Sequence, residues 1–171
     1  MLQATSTPVF DAGSCIHVSV ESPKGSQVKL KYSPQLRAYT VQRELPTGLH
    51  YPYDWGYVVG TSGEDGDPVD AMVIHDAGTY PGVMIRCRAA GMVVVKERKL
   101  GKLIDNSRII ATPCWPTRET REPVRAHIPP LVRRQLESFF LHAVEFADKK
   151  IDRIAWEGSR AATAYLKRHL A

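Results

Sequence analysis

Ile16-His17-Val18-Ser19-Val20 alternates apolar and polar positions, the period of a strand with one buried face. Val28-Lys29-Leu30-Lys31-Tyr32 repeats that alternation, and Tyr39-Thr40-Val41-Gln42 is β-branched and aromatic. Val69–His75 and Val83–Val95 are β-rich runs, parted by turn signals at Gly78 and Pro81-Gly82. Ser107–Ala111 is one more short strand. Beyond Ala111 the period changes. Pro113, Pro116, Pro123, Pro129 and Pro130 exclude a helix between them. Val132, Leu136, Phe139, Phe140, Ala143 and Ala147 then recur at helical spacing, and Pro129-Pro130 suits the first turn of that helix. A second helix is predicted from Ser159 to Leu170, with Ser159 as its N-cap and Ala162, Leu166 and Leu170 as its apolar face beside Tyr165. Strands first and helices last predict a mainly β fold, a small barrel or sandwich with helices packed outside.

Composition narrows the class. A length of 171 residues predicts a single domain over 1–171, with residues 1–15 as a loose lead-in. At 43% hydrophobic and 24% charged, the chain has the apolar content to bury a core, which excludes disorder as its main state. No apolar run reaches the roughly 18–20 residues of a membrane span; Arg86 and Arg88 interrupt the longest one. The N-terminus lacks a basic segment followed by an apolar one, so no secretory signal is expected. Cys15, Cys87 and Cys114 are odd in number and far apart, with no CxxC pair. That supports neither a disulfide framework nor a zinc knuckle, and a cytoplasmic location is the expectation. Cys87, between Arg86 and Arg88, reads as core packing. The net charge of +5 favours an anionic partner. Basic residues gather at Lys96–Lys102 and at Arg118, Arg121, Arg125, Arg133 and Arg134, but without the interleaved aromatics of a nucleic-acid reader. No nucleic-acid or membrane partner is therefore expected. The six histidines show no ligand spacing, and His142 reads as a packing or hydrogen-bonding group.

Chemistry concentrates in Tyr51–Asp70, YPYDWGYVVGTSGEDGDPVD. Glu64, Asp65, Asp67 and Asp70 crowd its end, which is electrostatically costly unless a cation offsets it. Oxygen donors without His or Cys suit a hard cation, Mg²⁺ before Zn²⁺. An EF-hand is excluded, because its twelve-residue spacing and terminal Glu are missing. Lys29, Arg43 and Arg108 lie on other predicted strands. Carboxylates for metal together with cations for anionic oxygens are what phosphoryl transfer to water requires.

The run Asp65-Gly66-Asp67-Pro68-Val69-Asp70, preceded by YPYDWGY and followed by PGVMIRCR, resembles the signature of the soluble family I inorganic pyrophosphatases. The resemblance extends from about Val18 to Tyr165. It takes in Glu21, Lys29, Arg43, Ile109–Pro113, Phe139-Phe140-Leu141-His142 and Trp156-Glu157. It implies an OB-like closed five-stranded β-barrel with flanking C-terminal α-helices. It also implies Mg²⁺-dependent hydrolysis of inorganic pyrophosphate to two phosphates, with Mn²⁺ as a substitute metal, and a homo-oligomer. By resemblance Asp70 bridges two metals, Asp65 binds the first, and Glu21 supports the cluster. Asp67 contacts the attacking water as a base. Lys29, Arg43, Tyr51 and Arg108 hold phosphate oxygens. Part of the face bearing Phe139, Phe140 and Phe146 is expected at a subunit interface.

Departures from the family pattern are equally specific. Lys31 stands where the family has an acid, and Asn106 stands at a metal-binding aspartate. The other hairpin acid aligns only loosely, near Lys96 or Glu97. Ala143-Val144 replaces a late Tyr-Lys pair, and Trp55 replaces a tyrosine. At 5 Å and an effective dielectric of about 20, each unit of charge is worth roughly 3 kcal/mol against a monovalent cation. Fewer metals than usual are therefore expected, held at Asp65, Asp70, Asn106 and Glu21, with a weaker grip on the leaving phosphate. Two alternatives keep the fold: a hydrolase of another phosphoanhydride, or a non-catalytic binding or scaffold protein. A salt bridge from Lys31 into the aspartates would favour the last.

Overall fold

The computed structural model describes residues 9–11, 14–115, 127–145 and 149–171. In chain order these form β1 (Ile16–Ser22), β2 (Val28–Ser33), β3 (Ala38–Glu44), β4 (Asp54–Val58), β5 (Asp70–Val73), β6 (Met84–Lys99), β7 (Lys102–Asp105), β8 (Arg108–Pro113), α1 (Pro130–Ala143), β9 (Lys149–Gly158) and α2 (Ser159–Arg168). The ladder runs β1-β4-β5-β8-β6 and returns from β6 to β1, closing a ring of five strands. All neighbours are antiparallel except β5 and β8, which are parallel. The ring decides between the barrel and sandwich expectations in favour of closure. The hairpin β2–β3 stands apart as a two-stranded sheet.

Alternation along each strand sorts the core into two clusters. Val18, Val58, Ala71, Ile85 and Ile109, one from each of the five ring strands, join in the ring's interior, where α2 adds Ala162 and Leu166. The opposite faces carry Trp55, Met72, Val93 and Ile110, covered by Leu136, Phe139 and Phe140 of α1. Phe139 and Phe140 thus serve this chain's own core. Pro130 occupies the first turn of α1, as expected. Ser159 is the first residue of α2 and not its cap: Gly158 holds the cap position with no side-chain hydrogen bond. Leu170 lies past the helix and is exposed. Cys87 is buried in the interior cluster, and Val9 and Cys15 of the lead-in are buried too. His142 donates from Nδ1–H to the Ser138 carbonyl, 2.7 Å away. Residues 1–8, Pro116, Pro123, Arg118, Arg121, Arg125, Phe146 and Ala147 lie outside the described residues.

Three strands have no counterpart in the alternation pattern. β4 lies within the motif-bearing segment, and its Gly56 pairs with Val20. A Cβ at Gly56 would sit 1.8 Å from the Ser19 carbonyl oxygen, so the close approach of β1 and β4 needs glycine. β7 and β9 are charged segments whose ladders rest on β6. Sixteen residues long, β6 pairs with β1 and β8 first and with β9 and β7 later, shifting register between Ala89 and Gly91. Partner strands, more than their own pattern, order β7 and β9.

Candidate active site

Two adjoining cavities lie where β1, β2, the β4–β5 loop, β5 and the β7–β8 junction converge. The larger, about 530 Å³, is lined by Glu21, Asp65, Asp67, Asp70, Asp105 and Asn106, among others. The smaller, about 50 Å³, is lined by Arg43, Tyr51, Trp55, Arg108, Ala143 and Val144. Lys29, Asp70 and Asn106 line both. One half of the site is therefore acidic and the other basic. Every residue singled out in the sequence for metal or phosphate lies in one of the two.

Local structure explains the convergence. Lys29 and Lys31 lie two apart on β2, on one face of the strand, and Lys29 is the register partner of Arg43 on β3. The hairpin is held to β1 by side chains: Ser22 Oγ accepts the Leu30 amide at 2.8 Å, and Glu21 Oε1 accepts the Tyr32 amide at 3.1 Å. Burial pushes the Glu21 carboxyl up, against the Tyr32 amide; Asp70 nearby raises it further. In the acidic loop, Asp65 Oδ1 accepts the Asp67 amide at 3.1 Å. Gly66 takes the left-handed φ of 83° that this tight turn requires. Asp70 opens β5 opposite Tyr57.

Lys31 is aimed into the acidic half. Its Nζ stands 2.6 Å from Asp67 Oδ2, and the two side chains are 39% and 58% exposed. A pair this exposed is worth about 1 kcal/mol or less, well under the roughly 3 kcal/mol reckoned for a fixed separation of 5 Å.

Arg108 anchors the basic half. Its Nη2 is 3.3 Å from Glu97 Oε1, with both side chains more than nine-tenths buried. Nη1 donates to the Asn106 carbonyl at 2.9 Å, and the guanidinium lies 4.8 Å from the Phe140 ring centre and 5.4 Å from that of Trp55. Its Nε is buried without a hydrogen-bond partner. Tyr51 is buried beside it, and burial pushes the phenol up to about 12, so it stays a hydrogen-bond donor throughout the neutral range.

Comparison with known proteins shows the family of the chain. The profile of the family described as inorganic pyrophosphatase matches residues 18–171. The inorganic pyrophosphatase of Streptomyces coelicolor is 33% identical over 152 residues, covering 88% of this chain and 91% of the relative. That of Sulfolobus acidocaldarius is 30% identical over 155 residues, covering 90% and 87%. The chain belongs to the inorganic pyrophosphatase family. A solved inorganic pyrophosphatase from Coxiella burnetii superposes with a TM-score of 0.78 at 27% identity, covering 97% of both chains. The Thermus thermophilus enzyme gives 0.78 at 26% identity, covering 95% and 93%. Both share the OB-like fold.

Within this family member the structure adds Asp105, Tyr57 and Tyr165 to the acidic half. Neither Lys96 nor Glu97 lines either cavity; Glu97 is the buried partner of Arg108. Asp105 is the hairpin acid that faces the cavity, across the ladder from Lys96 and 2.7 Å from its Nζ. Burial raises the Asp105 carboxyl, but Lys96 and the Ser107 donors outweigh it and hold it below the usual carboxylate range. Burial pushes the Tyr165 phenol up to about 12. The cross-strand pairing of Lys96 with Asp105 was the available signal, legible only once β7 is recognised.

A divalent cation is the cofactor this family implies, and the residues fit it in kind. Glu21, Asp65, Asp67, Asp70, Asp105 and Asn106 offer oxygen only, around one cavity of sufficient size. Among the described residues no three acids, histidines or cysteines stand close enough together to form a ligand set. Asn106 can give a neutral carbonyl where a carboxylate would add charge.

Proposed function

We propose that this chain hydrolyses inorganic pyrophosphate to two phosphates with Mg²⁺, Mn²⁺ serving as a substitute. The observation that carries the reading is the meeting of Asp65, Asp67 and Asp70 with Lys29, Arg43, Tyr51 and Arg108 across two joined cavities. Asp65, Asp70, Asn106 and Glu21 would hold the metal, which when bound acidifies water and neutralises phosphate charge. Asp67 accepts the proton of the attacking water once Lys31 releases its Oδ2. Lys29 and Arg43, face to face across the hairpin, grip the pyrophosphate oxygens. Arg108 and Tyr51 donate to the leaving phosphate, and the aromatic wall around Arg108 excludes water from that end. Ala143 and Val144 offer no donor there, so the grip rests on fewer groups.

Phosphate release across a Mg²⁺ and Mn²⁺ titration tests the reading, with Asp67→Asn as the control. The expected result is metal-dependent release that falls at least about 100-fold in the variant. No release above the variant sinks it. The Lys31–Asp67 pair is the observation that favours a non-catalytic site. Its exposure argues that the pair is displaceable. We further propose a homo-oligomer, in which Leu131 and Leu141, exposed on α1, are candidates for the contact. Light scattering that gives a monomer mass at micromolar concentration would refute it.

A further inference from the structure

Away from the active site, Cys15 and Cys114 bring their sulfurs to 2.9 Å although 99 positions separate them in sequence. Cys15 directly precedes β1 and Cys114 directly follows β8, at the ends of those strands remote from Glu21 and Arg108. Both are tied to Arg86 of the intervening β6. The Cys114 amide donates to the Arg86 carbonyl at 2.9 Å. The Cys15 amide donates to Asp11 Oδ1 at 2.9 Å, and Asp11 Oδ2 accepts Arg86 Nε at 2.5 Å. Thus two backbone anchors and one carboxylate hold the thiols face to face before any bond forms. Cys87, opposite Ile16 and Pro113 on β6, is fully buried in the interior cluster.

We propose that Cys15 and Cys114 are an oxidation site, joined by a disulfide that ties β1 to β8 when the protein meets a hydroperoxide. Cys114 is the more accessible of the two, and its sulfur attacks the peroxide first. The O–O bond breaks, the thiol proton and the departing oxygen leave as water, and Cys114 becomes a sulfenic acid. The Cys15 sulfur then displaces the hydroxyl, which takes the Cys15 proton and leaves as a second water. Two thiols lose two electrons, and one hydrogen peroxide gains them. The sulfurs must approach by about 0.8 Å to reach a disulfide length of about 2.05 Å. Neither cysteine lies inside a strand, so the ladders need not break. Burial holds the Cys114 thiol up to about 11, and Cys15 adds to this, while Arg88 and Arg86 oppose it. Little thiolate is present at neutral pH, so the bond forms slowly, under sustained oxidation. Once formed it closes a loop of nearly the whole ring, where a cross-link constrains the unfolded chain most.

The test is a peptide map of the full chain, reduced, desalted, treated with hydrogen peroxide, alkylated and digested without reductant. A peptide pair joining Cys15 to Cys114 is expected, lighter than the two free peptides by two hydrogens and separated again by dithiothreitol. The oxidised wild type and Cys87→Ser should gain several degrees in Tm, and Cys114→Ser should gain none. Thiols that survive unpaired, Cys114 carried on to sulfinic acid, or a bond through Cys87 would each overturn the proposal. The wild-type map decides the matter alone if a variant fails to fold.

Discussion

At the scale of single residues, Lys31 and Arg108 show how burial sets the worth of a charge. Lys31 meets Asp67 in solvent, where a strong pair becomes a weak one. Asp67 raises the Lys31 ammonium by hydrogen bonding; desolvation lowers it, and the charges of Asp67, Glu21 and Asp70 raise it further. Lys31 therefore stays charged at neutral pH, and would compete there with the metal of the proposed function. Lys31→Gln removes that competitor and should tighten Mn²⁺ binding to the substrate-free protein about two- to fivefold, read by titration with electron paramagnetic resonance. Unchanged or weaker binding would show that Lys31 is not a rival of the metal. Arg108 is the opposite case. With Glu97 buried beside it, Arg108→Ala breaks a buried ion pair and should cost about 3–5 kcal/mol in urea unfolding. Arg108→Lys keeps the charge but not the planar fork. It should fold with smaller loss and show a lower kcat. Equal stability of all three would mean that the buried pair contributes nothing.

Elements show where sequence and structure part. The acids of Asp65–Asp70 were legible because they are contiguous, and Lys29 and Arg43 because strand alternation and family likeness agree. Asp105 was not, because β7 is four residues of mixed character ordered by β6. β9 was missed for the same reason: Lys149, Lys150, Asp152, Arg153 and Glu157 mask its alternation. Tyr165 reaches the site from α2, which no local pattern foretells. β4 carries a second buried network that the motif hid. Asp54 accepts from Thr79 Oγ1 at 2.6 Å and the Lys24 amide at 2.8 Å, and meets His75 Nε2 at 2.9 Å. Desolvation raises the Asp54 carboxyl, but these donors outweigh it and hold it below its ordinary value near 4. A depressed carboxylate stabilises the fold above its unfolded pKa, and that contribution is lost as pH falls through the folded value. Wild type should therefore exceed Asp54→Asn by about 1–3 kcal/mol at pH 7, and the gap should close below about pH 4. A gap independent of pH would assign the effect to packing and not to charge.

Over the whole molecule, charge is arranged against the formal total. The chain carries +5, yet the larger cavity gathers Glu21, Glu64, Asp65, Asp67, Asp70 and Asp105 against Lys29 and Lys31. The smaller cavity holds Lys29, Arg43 and Arg108 against Asp70. A multiply charged anion that spans both is attracted at one end and repelled at the other. Divalent cations held there would offset the acidic end, so under the proposed function metal and substrate strengthen one another's binding, and by linkage the factor is the same in both directions. A non-hydrolysable diphosphonate makes this measurable without turnover. Its affinity by calorimetry should fall at least about tenfold, or 1.4 kcal/mol, when Mg²⁺ is replaced by a chelator at constant ionic strength. The Mg²⁺ affinity should fall by the same factor when the diphosphonate is left out. Equal diphosphonate affinity with and without the cation would mean that the basic half binds alone, and that the acidic cavity takes no part in holding the substrate.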